Sequence, residues 1–237
     1  MSTYIFVHGA WHGAWCWYKV IALLEKAGQT VIAPDLPSLG RDRTPIPQVS
    51  LDVWTQSICQ VLNDQTEPCI LVGHSLGGIV ISQAAEQCYE KVRTLVYLTA
   101  FLLRDGESTR QVAETDKTSS LAPNVIVSED NNSSNVAEKA IREVFYGKCP
   151  VEDVVLARLL LAPEAVLPSI TPIHVTDDNF GSIPRVYIEC LRDKALPLSL
   201  QKRMYTALPC EKVLSLDTDH SPFFSRPEEL VSNLLEL

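Results

Sequence analysis

Six short apolar runs, rich in β-branched and aromatic residues, punctuate the chain at 4–7, 30–33, 69–72, 94–98, 185–190 and 212–216. Each has the length of a strand, and runs that are apolar at successive positions suit strands buried on both faces. Longer helical patterns lie between them, at 17–27, 53–62, 77–88, 198–207 and 227–235. Strand alternating with helix predicts an α/β fold, a mostly parallel, six-stranded, doubly wound sheet with helices on both faces. The last helix carries a capping-box pattern, with Ser225 three residues before Glu228 and Pro227 early in the helix.

The alternation fails between about 102 and 180. Strand signals thin out there, and polar stretches at 115–120 and 128–135 separate helical patterns at 136–145 and 151–161. Pro163, Pro168 and Pro172 then punctuate the return to the sheet. The expected organisation is one domain: an α/β core formed by 1–101 and 181–237, with a helical cap inserted at 102–180. A long disordered loop fits less well, because the helical pieces carry ample Leu, Val and Ala.

Composition narrows the function classes. With 237 residues, 46% of them hydrophobic and 21% charged, the chain can bury a sizeable core without disulfides or metals. The net charge of −9 and the lack of any basic stripe argue against a nucleic-acid partner. The N-terminal apolar run is too short for a signal peptide and lacks a basic leader, and no later segment reaches spanning length, so no membrane partner is expected. Seven cysteines without a C-x-x-C pair fit a reduced, cytoplasmic chain.

The chemistry gathers around Val72-Gly73-His74-Ser75-Leu76-Gly77-Gly78. A P-loop needs a lysine directly after its second glycine, and Gly77 is followed by Gly78 and Ile79. A dinucleotide fingerprint needs G-x-G-x-x-G, which this spacing does not provide. The pattern that fits is G-x-S-x-G between a strand and a helix, where a serine on a sharp turn exposes its Oγ near a helix N-terminus. Such a nucleophile needs a base and an orienting acid in the chain order Ser, Asp or Glu, His. Of five histidines only His220 follows a strand near the C-terminus, and Asp193 follows the strand at 185–190. Asp217 and Asp219, too near His220 in sequence to face it well, are the lesser candidates for the acid. The oxyanion donors expected are the N–H groups of Leu76 and Ala10, with Trp11 as the fallback. His8 and His12 flank glycines in a loop without a third ligand, so no metal site is expected.

With these residues assembled, the chain resembles the α/β-hydrolase superfamily. Within it, the chain is similar to the branch of plant methylesterases, salicylate-binding esterases and hydroxynitrile lyases. The resemblance rests on Phe6-Val7-His8-Gly9-Ala10-Trp11-His12-Gly13-Ala14-Trp15-Cys16-Trp17 and on the serine motif. It continues through Phe180-Gly181-Ser182, Arg185-Val186-Tyr187-Ile188, Asp193-Lys194-Ala195-Leu196-Pro197 and Asp219-His220. The polar stretch at about 112–135 departs from the branch and is shorter than in the plant enzymes. The resemblance implies the triad Ser75, Asp193 and His220, with Ala10 and Leu76 in the oxyanion hole. Lyases of this branch carry threonine where Gly9 stands and lysine directly after the catalytic histidine, where this chain has Ser221.

The expectation is therefore a serine carboxylesterase without cofactor or metal, acting on small, rather apolar esters, methyl and aryl esters among them. Cyanohydrin cleavage and a non-catalytic small-molecule receptor are the alternatives. Trp11, Leu76, Phe145, Leu159, Phe180 and Phe223 are the candidate pocket residues, and an exposed cap face is a candidate surface for a homodimer.

Overall fold

The computed structural model describes residues 1–237. Its core strands are β1 (Thr3–Val7), β2 (Thr30–Ile32), β3 (Cys69–His74), β4 (Val92–Leu98), β8 (Arg185–Cys190) and β9 (Lys212–Leu216), with β5 (Val125–Val127), β6 (Ser133–Val136) and β7 (Glu164–Ala165) lying in the cap. They form one sheet in the order β2-β1-β3-β4-β8-β9, and every neighbouring pair is parallel. All six positions of β3 are buried, as a continuous apolar run requires of a strand covered on both faces, whereas the edge strands β2 and β9 are half-buried. Helices α1 (Tyr18–Lys26), α2 (Leu51–Asn63) and α3 (Gly77–Gln87) follow the first three strands, and α2 packs on α3.

The inserted segment differs from the helical cap expected. It does carry helices, α4 (Thr109–Glu114), α5 (Ile141–Phe145), α6 (Val151–Leu160) and α7 (Leu167–Ile170). It also carries an antiparallel sheet of β5 (Val125–Val127), β6 (Ser133–Val136) and β7 (Glu164–Ala165). The polar stretch at 128–135, which separates the helical patterns in the sequence, thus lies in a hairpin, turning at Asn131 with a left-handed φ of 58°. Ser and Asn have little strand propensity, so pairing with distant neighbours makes this sheet, which local patterning could not reveal. The helix expected from 136 starts only at Ile141.

The chain closes with α8 (Leu198–Ala207), the single turn α9 (Pro222–Ser225) and α10 (Pro227–Leu235), which packs on α1. The capping box expected at Ser225 does not form. Ser225 belongs to α9, donates to Ser221 O and pairs with Thr218 Oγ1, while Arg226 stands at the N-cap of α10. A capping box occurs instead at the start of α4, between Ser108 at its N-cap and Gln111 in its first turn. One continuous buried cluster joins Ile5, Val72 and Leu95 of the sheet to Phe145, Val154 and Ala157 of the cap.

Candidate active site

The serine turn is shaped by lack of room. A Cβ on Gly77 would stand 2.7 Å from the carbonyl oxygens of Val7 and His8, and one on Gly73 would stand 2.8 Å from Gly77 O. These are main-chain contacts that cannot yield, so α3 approaches β3 and the end of β1 this closely only because both positions are glycine. Between them Ser75 holds a left-handed φ of 52°, a strained conformation for a serine. Its carbonyl accepts from Gly78 N at 3.1 Å and from Phe101 N at 3.0 Å, fixing the corner.

The loops after β8 and β9 bring the other two residues to this corner. His220 Nε2 lies 2.9 Å from Ser75 Oγ, and His220 Nδ1 lies 2.6 Å from Asp193 Oδ2. A proton on Nδ1 satisfies the carboxylate and leaves the Nε2 lone pair toward the serine hydroxyl. Asp193 is held from four directions. Its Oδ1 accepts from the N–H groups of Ala195 at 2.7 Å and Leu196 at 2.8 Å, and its Oδ2 accepts from Thr99 Oγ1 as well as from the imidazole. Sequence reasoning missed Thr99, although its place immediately after β4, at the carboxyl end of the sheet, was a usable signal.

The other candidate acids are engaged elsewhere. Asp217 is exposed and paired with Arg192 through contacts of 2.5 and 2.8 Å. Asp219 is buried but turned toward the cap, accepting from Lys148 N at 2.5 Å, and burial raises its pKa. The other nearby imidazoles are neutral. Burial lowers the pKa of His8 to about 4 and of His12 to about 3, and His74 also falls well below the ordinary value. His74 donates from Nε2 to His220 O at 2.8 Å, so it braces the main chain of His220. Both nitrogens of His8 and of His12 are bound within the protein, the first to Gly9 O and Leu36 N, the second to Ala10 O and Tyr146 Oη.

The loop after β1 lies against the serine, since a Cβ on Gly9 would stand 2.7 Å from Ser75 Cβ and 2.8 Å from His74 Nδ1. The N–H groups of Ala10 and Leu76 donate to no other group of the protein. The N–H of Trp11, the fallback donor, is taken by Glu164 Oε2 at 2.9 Å. The pocket residues separate into three sets. Phe145 stands beside His220, ring centroids 5.6 Å apart, and Trp11 stands 6.0 Å from Phe145. Phe223 is core packing under the site, 5.0 Å from His74 and 5.1 Å from Trp17. Leu159 and Phe180 lie outside it: Leu159 is 76% exposed on α6, and Phe180 packs under Arg185 at the opposite end of β8.

A family model described as the alpha/beta hydrolase family matches residues 4–233. The chain belongs to this family. Within it the chain falls with the plant methylesterases. It is 34% identical over 253 residues to methylesterase 1 of Arabidopsis thaliana, covering 99% of this chain and 95% of that one. It is 35% identical over 248 residues to the putative chloroplastic methylesterase 11 of the same plant. That match covers all of this chain but only 64% of the longer relative. The crystal structure of the Arabidopsis methylesterase MES16 superposes with a TM-score of 0.86 at 29% identity, covering 100% of this chain and 98% of the other. No helix of this alpha/beta hydrolase is long and apolar enough to cross a membrane.

Proposed function

We propose that the protein is a serine carboxylesterase acting on small, rather apolar esters, with methyl and aryl esters the first candidates. The observation that carries this reading is the unbroken hydrogen-bonded chain from Asp193 through His220 to Ser75. As Ser75 Oγ attacks the ester carbonyl, His220 Nε2 takes its proton, and Asp193 keeps the imidazole in the working tautomer and stabilises the imidazolium. The N–H groups of Ala10 and Leu76 donate to the developing oxyanion, at ~3 kcal/mol for each donor. His220 then protonates the leaving alcohol, and water, deprotonated by the same histidine, hydrolyses the acyl-enzyme.

Two features favour hydrolysis over cyanohydrin cleavage. A side chain at position 9 would collide with Ser75, so the threonine of the lyases requires a different loop path. The residue after His220 is Ser221, whose buried Oγ carries no charge to receive cyanide. Methyl esters are favoured by the named methylesterase relatives, and small acyl groups by Phe145 standing against His220. The compartment we propose is the cytoplasm, because seven unpaired thiols suit a reducing environment.

The test is hydrolysis of a p-nitrophenyl ester series by the wild type and by Ser75→Ala. The reading predicts turnover that falls by as much as ~10⁶ in kcat when the nucleophile is removed. A wild type without turnover, or an alanine variant that keeps it, contradicts the reading.

A further inference from the structure

The loop that carries Ala10 is held in place by the cap. Trp11, the next residue, has a left-handed φ of 61°, a costly conformation for a bulky side chain. Three hydrogen bonds keep it there. Trp11 N–H donates to Glu164 Oε2 at 2.9 Å, its indole Nε1–H donates to Ser134 O at 3.0 Å, and its carbonyl accepts from Ala162 N at 3.0 Å. Ser134 and Glu164 are partners across the β6–β7 pairing, so one small sheet grips both the main chain and the ring of Trp11.

Glu164 is the ionisable member of this grip, and it is 97% buried, with 3% of its surface exposed. No charged side chain belongs to Ala10 and Trp11, Ile46–Gln48, Ser133–Val136, Ala162 or Pro163, which lie beside it, and no charged group is among the causes that shift its carboxyl. His12, the nearest titratable group along the loop, is neutral and spent on Ala10 O and Tyr146 Oη. Burial without a countercharge pushes the Glu164 carboxyl up to about 8. The group is thus neutral at and below neutrality and ionises as the pH passes that value. Its neutral carboxyl still offers an oxygen to Trp11 N–H. Its ionised form would set a negative charge one residue from the N–H proposed for the oxyanion, in an interior that screens poorly.

The geometry points to Glu164 as a positioning residue that holds Trp11 and so fixes Ala10 N–H for the oxyanion. This inference rests on the esterase reading and makes the cap a part of the catalytic apparatus, beyond its role as a cover. Glu164 acts through the loop, by way of Trp11 N–H, and not by touching substrate.

The test is kcat and KM between about pH 6 and about pH 9.5 for wild type, Glu164→Gln and Glu164→Ala, on p-nitrophenyl butyrate corrected for spontaneous hydrolysis. Wild-type kcat should hold through neutrality and fall above about pH 8. The glutamine variant, which keeps an acceptor and cannot ionise, should match wild type at neutrality and lose the alkaline fall. The alanine variant should lose ~10-fold or more in kcat at every pH, approaching the ~10²-fold cost of a missing oxyanion donor, with KM little changed. An alkaline fall that persists in the glutamine variant, or a wild-type kcat in the alanine variant, overturns the inference. A wild type with no Ser75-dependent turnover fails the esterase reading itself and takes the inference with it. Normal wild-type turnover with both variants unaltered removes only the role of Glu164.

Discussion

In the core, β3 is Cys-Ile-Leu-Val-Gly-His and β4 is Val-Arg-Thr-Leu-Val-Tyr-Leu, while the cap strands β6 and β7 read Ser-Ser-Asn-Val and Glu-Ala. The first pair are strands by their own composition, with an interior that demands apolar side chains on both faces. The second pair are strands because partners far along the chain hold them, as Ser134 meets Glu164. The consequence reaches the site. The core supplies the side chains of the proposed chemistry on turns at strand ends, where sterics leave few choices. The core also holds those side chains, as Thr99, Ala195 and Leu196 hold Asp193, while the cap grips the loops beside them, through contacts such as Glu164 to Trp11 N and Lys148 N to Asp219.

That contrast can be broken first at the glycines of the core. Gly9→Val should lower kcat by ~10² or more, because its side chain would occupy the space of Ser75 Cβ and push Ala10 away from the oxyanion. Esterase assays with KM determined separately check this, and a near-normal kcat would mean that the first loop has no part in the chemistry. Thr99→Val comes next. Losing one of four hydrogen bonds on Asp193, while keeping shape, should cost ~10-fold in kcat and about 1 kcal/mol in stability, read by urea unfolding. Leu159→Ser should do least, within about 0.5 kcal/mol of wild-type stability and without effect on kcat, since the side chain points to solvent from the outer face of the cap. A large loss of activity in that variant would place the outer face of α6 in the substrate path.

The core was legible because its signals are local. Arg185–Cys190, Lys212–Leu216, Leu198–Ala207 and Pro227–Leu235 fall where the apolar patterns put them. Ser75, Asp193 and His220 could be named because each sits just beyond a readable strand, and the structure brings these three together. Thr99 escaped notice because a lone threonine after a strand carries no motif. Glu164 escaped because its environment is made by the fold: in the chain it is a carboxylate beside Pro163, and only burial against Trp11 makes it unusual. Ser225 shows the opposite error, since a local capping pattern was overridden by the turn that carries Thr218 to His220.

Asp193 and Asp219 offer the most direct test, because both are buried carboxylates close to His220, and they differ in what they face. The measurement is kcat for p-nitrophenyl ester hydrolysis by Asp193→Asn and Asp219→Asn, with folding of each checked by its thermal transition. Asp193→Asn, where the wrong imidazole tautomer is stabilised, should lose ~10⁴ in kcat, and Asp219→Asn less than ~10-fold. A near-normal rate in Asp193→Asn with a collapse in Asp219→Asn would contradict Asp193 as the orienting acid.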